Sequence, residues 1–166
     1  MIGVAGIMMW VIRAGQGAKY FEKFNEKKRV YIPWSGYHMD LRNYDTREQF
    51  RTLVAKEKNT NNRTSISNWY GQLFSFVKEM SVGDYVMIPS NRSQEYTLAT
   101  ISGNYEYDPA EKDGLYHSRA VMIVRENIPR SIFSQSVAYT LGTFRTIFKV
   151  KCEQEILLAV SQKFDR

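Results

Sequence analysis

The sequence predicts an α+β domain: a curved, mostly antiparallel sheet or small barrel of about six strands with flanking helices. Strand-like and helix-like segments alternate in mixed order. The strands follow one another without the long helical crossovers that a parallel sheet requires. The chain of 166 residues is long enough for one domain with a sizeable core. Aromatics make up 14% of it, more rings than such a core usually needs, so some are free to serve as ligand walls.

The chain opens on the apolar run "MIGVAGIMMWVI", too short to span a bilayer and without the basic flank of a signal peptide. It reads as an N-terminal extension, residues 1–8, entering a buried strand at about Met8–Ile12. Met1, Met8 and Met9 are all candidate starts. Trp10 lies within that strand and packs inward. Arg29–Pro33 is a second strand, ended by Pro33, which has no N–H to donate. Asp45 and Glu48 form a capping-box-like pair for a helix with Phe50, Leu53 and Val54 that fades near Lys58. "NTNNRTS", residues 59–65, reads as a polar loop.

A stronger helix follows, with Ser65 or Ser67 as its cap and one apolar stripe from Trp69 through Leu73, Phe76 and Val77 to Met80. Gly83–Asp84 turns into a strand at Tyr85–Pro89. Tyr96–Ser102 is the next, running on towards Tyr105, with Tyr105 and Tyr107 read as cross-strand packing rings. A loop at 108–114 leads to a buried strand at Ala120–Val124. Ser131–Leu141 is a short helix ended by Gly142, Thr143–Val150 a last strand, and Cys152–Phe164 a closing helix or the start of a linker.

Charge is unevenly placed. The net charge is +6, and residues 13–63 carry 12 Lys/Arg against 6 Asp/Glu, which is the whole excess. A localised basic face suits a polyanion such as nucleic acid. Cys152 is the single cysteine, so no intramolecular disulfide forms and a reducing cytoplasm is the default. His38 and His117 stand far apart, without zinc spacing. "RAGQGA" lacks the lysine of a phosphate loop, and GxSxG does not occur. Glu26–Lys27–Lys28 spells a nuclease-like carboxylate–lysine element, yet it sits in a charged helix end with only Glu22 upstream. The expectation is therefore a binding module with no catalytic residues, no metal and no cofactor.

Five blocks, "WVIRAGQGAKYFEKF…VYIPW", "SNWYGQLFSFVKEMSVGDYVMIPSN", "ISGNYEY", "HSRAVMIVRENIPRSIFSQS" and "LGTFRTIFKV", resemble in their order the EVE-type domains at the N-terminus of Mrr- and McrB-like modification-dependent restriction proteins. Those domains belong to the PUA superfamily and are related to the YTH readers of methylated adenine. The resemblance covers residues 9–150. It leaves 151–166 as a C-terminal helix or a linker towards a missing effector domain.

The resemblance implies a PUA-like sheet and a pocket for a modified base flipped out of duplex DNA. Position by position, it implies a pocket lined by Arg13, Ala14 and Gly15 after the first strand. Ser67, Asn68 and Trp69 add the main helix, and Ser90 and Asn91 the following strand exit. Trp34 follows the second strand, where Pro33 replaces the usual glycine, and Tyr116 is the nearest third ring. Trp69 remains open between core and pocket, and Asn68 between helix cap and base contact. The basic segment would hold phosphates through Lys27, Lys28, Arg29, Arg42 and Arg63. A nuclease or ATPase domain or subunit outside this chain would then act on the DNA. The alternatives are an RNA-binding PUA-like or YTH-like module reading modified RNA, and a small nuclease on the same scaffold.

Overall fold

The computed structural model describes residues 6–92 and 94–165, so Met1 and most of the 1–8 extension lie outside the described residues. Seven strands, β1 (Met9–Ile12), β2 (Arg29–Tyr31), β3 (Tyr85–Pro89), β4 (Glu95–Ile101), β5 (Glu106–Tyr107), β6 (His117–Pro129) and β7 (Ile147–Val150), make one sheet. Its order is β2-β6-β4-β3-β1-β7, with β5 beside β6. Every pairing is antiparallel except β1 with β3. Six strands curl into a half-barrel, the curved α+β sheet that the sequence predicts.

Among the described residues five α-helices flank it: α1 (Phe21–Lys27), α2 (Arg47–Lys58), α3 (Arg63–Phe74), α4 (Gln135–Leu141) and α5 (Glu153–Phe164). The period-2 alternation of strands divides the apolar residues between two cores. Trp10, Ile12, Val86 and Ile88 face one core with Phe24 of α1, Phe50 of α2 and Leu73 of α3. Met9, Val11, Met87 and Leu98 face the other with Val137 and Leu141 of α4 and Ile156 and Val160 of α5. Residues 153–164 are thus a helix docked on the second core.

Buried Asp84 ties the start of the chain to the turn before β3. Its carboxylate accepts from the backbone N–H groups of Met8 and Ser81 and from Trp10 Nε1, each at 3.0 Å. Trp10 is therefore a core ring with its polar atom satisfied.

Several element boundaries differ from the sequence expectation, each for a local reason. The cap of α2 is Thr46, whose hydroxyl accepts from the Gln49 N–H in a complete capping box, one residue on from Asp45 and Glu48. Asn62, not Ser65 or Ser67, caps α3. The helix gains a turn because Ile66 is buried and gives that segment a core anchor. After Phe74 the helix loosens into a π-turn at Ser75–Glu79. The charged helix end at 26–28 closes α1, where Lys28 takes a left-handed φ of 55°. β6 is far longer than Ala120–Val124, and Met122 and Val124 are exposed at 64% and 50%, so that segment alternates instead of being buried throughout. Register shifts along β4 bend this long strand so that it reaches both β4 and β2. β7 starts at Ile147, leaving 142–146 as a loop.

Candidate functional site

Two openings lie side by side and meet at one residue. The larger is a cleft of about 1290 Å³ between α3 and the segment 139–149. Arg63, Ser67, Asn68 and Trp69 line it from α3, and Tyr139, Phe144, Arg145 and Lys149 from the opposite side. The smaller is a pocket of about 440 Å³ between the 13–18 turn and the strand exit at 89–92 with Gln94. Phe144 borders both.

The 13–18 turn depends on glycine. Gly15 has φ of 85°, and a Cβ there would stand 2.9 Å from Tyr20 Cδ2. Glycine alone combines this backbone with this close approach. Opposite it, the Ser90 hydroxyl accepts the Arg92 N–H at 2.9 Å, and Asn91 Nδ2 donates to Glu22 Oε1 at 3.1 Å. The expected group Arg13, Ala14, Gly15, Ser90 and Asn91 is therefore brought together around one pocket.

Arg13 is turned inward. Its Nε donates to the carbonyls of Thr143 at 2.9 Å and Arg145 at 3.1 Å, and its Nη2 to those of Leu141 at 3.1 Å and Thr143. Its backbone N–H donates to Thr146 O at 2.8 Å. Burial lowers the guanidinium's pKa from its ordinary value, but arginine stays charged. Arg13 is thus a clamp on the 141–146 segment rather than a group reaching into open space.

The tryptophans are arranged differently from the expectation. Trp34 packs edge-on against Trp69, ring centroids 4.5 Å apart, and lines neither opening. Lys58 Nζ sits 3.7 Å from the centre of the Trp69 ring, and burial pushes that ammonium below its usual pKa. The Trp34–Trp69 pair is a braced corner holding its own cation, because the added turn of α3 carries Trp69 into the second turn of the helix. Asn68 is not the cap of α3; its carbonyl and Oδ1 accept from Gln72 Nε2. Gln72 Oε1 in turn accepts the Ile147 N–H at 2.8 Å, locking α3 to β7. Tyr116 lies elsewhere, 4.9 Å from His38 and beside Tyr107.

Of the basic residues singled out from the sequence, Arg63 alone lines the cleft. Arg29 is committed to Glu106 at 2.6 Å and to Ser118, and Arg42 to Asp40 at 2.6 Å. Lys28 donates to Asn25 O at 2.8 Å, and Lys27 closes α1. The cleft also draws Arg145 and Lys149 from outside residues 13–63 and, from inside that segment, Arg47, which pairs with Glu79 at 3.1 Å.

The sequence reading passed over Tyr139 and Phe144, whose rings are 82% and 89% exposed. Reading Thr143–Val150 as a strand hid Phe144. Its isolation between Thr143 and Arg145, just after a helix-ending glycine, was the available signal. Among the described residues, no group of three or more His, Cys, Asp or Glu side chains could hold a metal ion. No helix among them is long and apolar enough to cross a membrane.

The model of the family described as Domain of unknown function (DUF8426) matches residues 10–151. No curated protein matches the chain. Similar solved structures include the crystal structure of protein Atu2648 from Agrobacterium tumefaciens, 13% identical with a TM-score of 0.43, over 95% of this chain and 93% of that one. The NMR structure of Rpa0253 from Rhodopseudomonas palustris is 12% identical with a TM-score of 0.41, over 93% and 92%. A hypothetical protein from Leishmania major is 13% identical with a TM-score of 0.42, over 96% and 98%.

Proposed function

The chain belongs to the DUF8426 family, and we propose that it is a non-catalytic module that binds duplex DNA and receives one modified, extruded base in the pocket between residues 13–18 and Ser90, Asn91, Arg92 and Gln94. The observation that carries this reading is the cleft beside that pocket, where Arg63, Arg145 and Lys149 line one channel with the exposed rings of Tyr139 and Phe144. Cations along a groove hold phosphates without reading sequence, and rings offer stacking faces to bases.

The energetics fit. Extruding a base costs a few kcal/mol, least where pairing is already weakened. Stacking of a protein ring on bases of the opened duplex returns about 1–3 kcal/mol per base. The pocket volume of 440 Å³ falls within the range of about 300–1,000 Å³ common for small-ligand sites. Gly17, with open space where a Cβ would stand, lets a flat ligand approach the backbone closely.

The resemblance to EVE-type domains supports the same assignment and supplies the setting. In that setting the module works in the cytoplasm and directs a nuclease or ATPase domain or subunit outside this chain to methylated DNA, as part of a restriction system. The Trp34–Trp69 corner is not the base cage in this reading.

The test is a salt titration of binding to a duplex carrying one methylated adenine or one 5-methylated cytosine. Affinity should fall linearly with salt on logarithmic axes. Replacing Arg63, Arg145 and Lys149 together by alanine should reduce that slope by about 3, roughly one per phosphate contact. An unchanged slope removes the cleft as the phosphate track. Binding that requires a 2′-hydroxyl moves the substrate to RNA.

A further inference from the structure

Phe144 is an apolar ring held out in solvent, 89% exposed, on the loop between α4 and β7. The ring is the single residue shared by the cleft and the pocket. Its position is imposed from 130 residues away. Arg13 gathers the carbonyls of Leu141, Thr143 and Arg145 on its guanidinium and that of Thr146 on its backbone N–H. Arginine's rigid fork of donors suits several acceptors at once. A loop pinned on both sides of residue 144 has little freedom to fold the ring away.

Cations stand on either side of the ring. Arg145 lines the cleft beside it and Arg92 lines the pocket. That is the charge pattern needed to hold the phosphates flanking a displaced nucleotide. A duplex that loses one base from its stack leaves an apolar gap, and proteins that distort duplexes fill such gaps with Phe, Leu, Ile, Met or Pro wedges. Resting on the function proposed above, we propose that Phe144 is an intercalating wedge that enters the gap left by the base in the Arg13–Gln94 pocket, with Arg13 as the positioning residue that presents it.

The experiment compares two duplexes carrying the same methylated base, one fully paired and one with that base mismatched. A 2-aminopurine reporter is placed next to the target base. A wedge contributes by trapping the opened stack, so it matters less where pairing is already broken. Phe144→Ala should weaken binding about tenfold on the paired duplex and under about threefold on the mismatched one. It should also lose the reporter's fluorescence rise on the paired duplex. Phe144→Leu, still an apolar wedge, should keep most of both. Arg13→Lys, which loses the fork, should reproduce the paired-against-mismatched split with Phe144 intact.

Equal losses on both duplexes would make Phe144 a pocket wall and overturn the wedge while leaving the binding function standing. Phe144→Ala binding like wild type on both would overturn it too. Wild-type protein that binds neither methylated duplex would overturn the binding function and the wedge together.

Discussion

Two aromatic clusters in this molecule have opposite fates. At one end, His117 is buried among Tyr105, Tyr107 and Tyr116, with Tyr105 and Tyr107 nearly parallel to its ring. Its Nε2–H donates to the Tyr37 carbonyl at 2.8 Å, so its Nδ1 accepts from the Tyr105 hydroxyl at 2.6 Å. That hydroxyl accepts the Leu41 N–H at 3.0 Å. At the other end, Tyr139 and Phe144 stand open beside arginine and lysine side chains. Both clusters contribute to the high aromatic content. In the first, every polar atom of the histidine is used internally and the rings are spent on the fold. In the second, the side chains are almost fully exposed and open to a partner. A surplus of aromatics is therefore evidence of a binding surface only after the internally satisfied rings are removed.

The contrast breaks most sharply at His117. His117→Phe leaves the Tyr105 hydroxyl without its acceptor and the Tyr37 carbonyl without its donor. Each buried orphan costs about 1–3 kcal/mol, so the loss should be about 2–6 kcal/mol in urea unfolding. A loss below 1 kcal/mol would mean that this cluster is as loosely held as the open one.

Acid should act at the same place. Burial lowers the His117 pKa below its ordinary 6.5, against the opposing influence of the Tyr37 carbonyl and Asp40, while His38 adds to the lowering. The folded state therefore binds fewer protons than the unfolded chain between the two pKa values. This contribution to stability is complete above pH 6.5 and is lost as pH falls through the folded value. Its slope is at most about 1.4 kcal/mol per pH unit for one proton. Unfolding free energies from pH 7.5 to 4.5 should show this slope in the wild type and not in His117→Phe. Equal slopes in the two proteins would assign the acid sensitivity to other groups.

The smallest effect on folding belongs to the open cluster. Tyr139→Ala should change stability by less than about 0.5 kcal/mol, as exposed positions usually do. In the same protein, binding to methylated duplex should weaken by about 1–3 kcal/mol if the ring stacks on a base. A large fall in melting temperature would mean that Tyr139 supports α4, and the distinction between the clusters would narrow.

The Trp34–Trp69 corner lies between these extremes: Trp69 lines the cleft while packing against the core, and Trp34 lines neither opening. Both tryptophans sit where ligand walls are expected, one after a strand-ending proline and one near a helix start. The structure sets them against each other with Lys58 over one of them. A cation–π contact of this kind contributes about 0.5–2 kcal/mol within the chain.

The residues by themselves determined what short-range physics controls. Apolar periodicity located the helix through Leu73 and the strand Tyr85–Pro89. The lack of long crossovers predicted a mostly antiparallel curved sheet. Arg13–Gly15 and Ser90–Asn91, 75 or more residues apart, line one pocket because the fold brings them together. The tertiary structure alone decided which side chains were already occupied. Whether Arg29 and Arg13 face solvent or an acceptor within the chain depends on partners 77 and 130 residues away. Which aromatic rings remain exposed depends on how two cores divide the apolar surface of a curled sheet. Composition counts charges and rings, but the free energy of each depends on its neighbours, and folding chooses those neighbours.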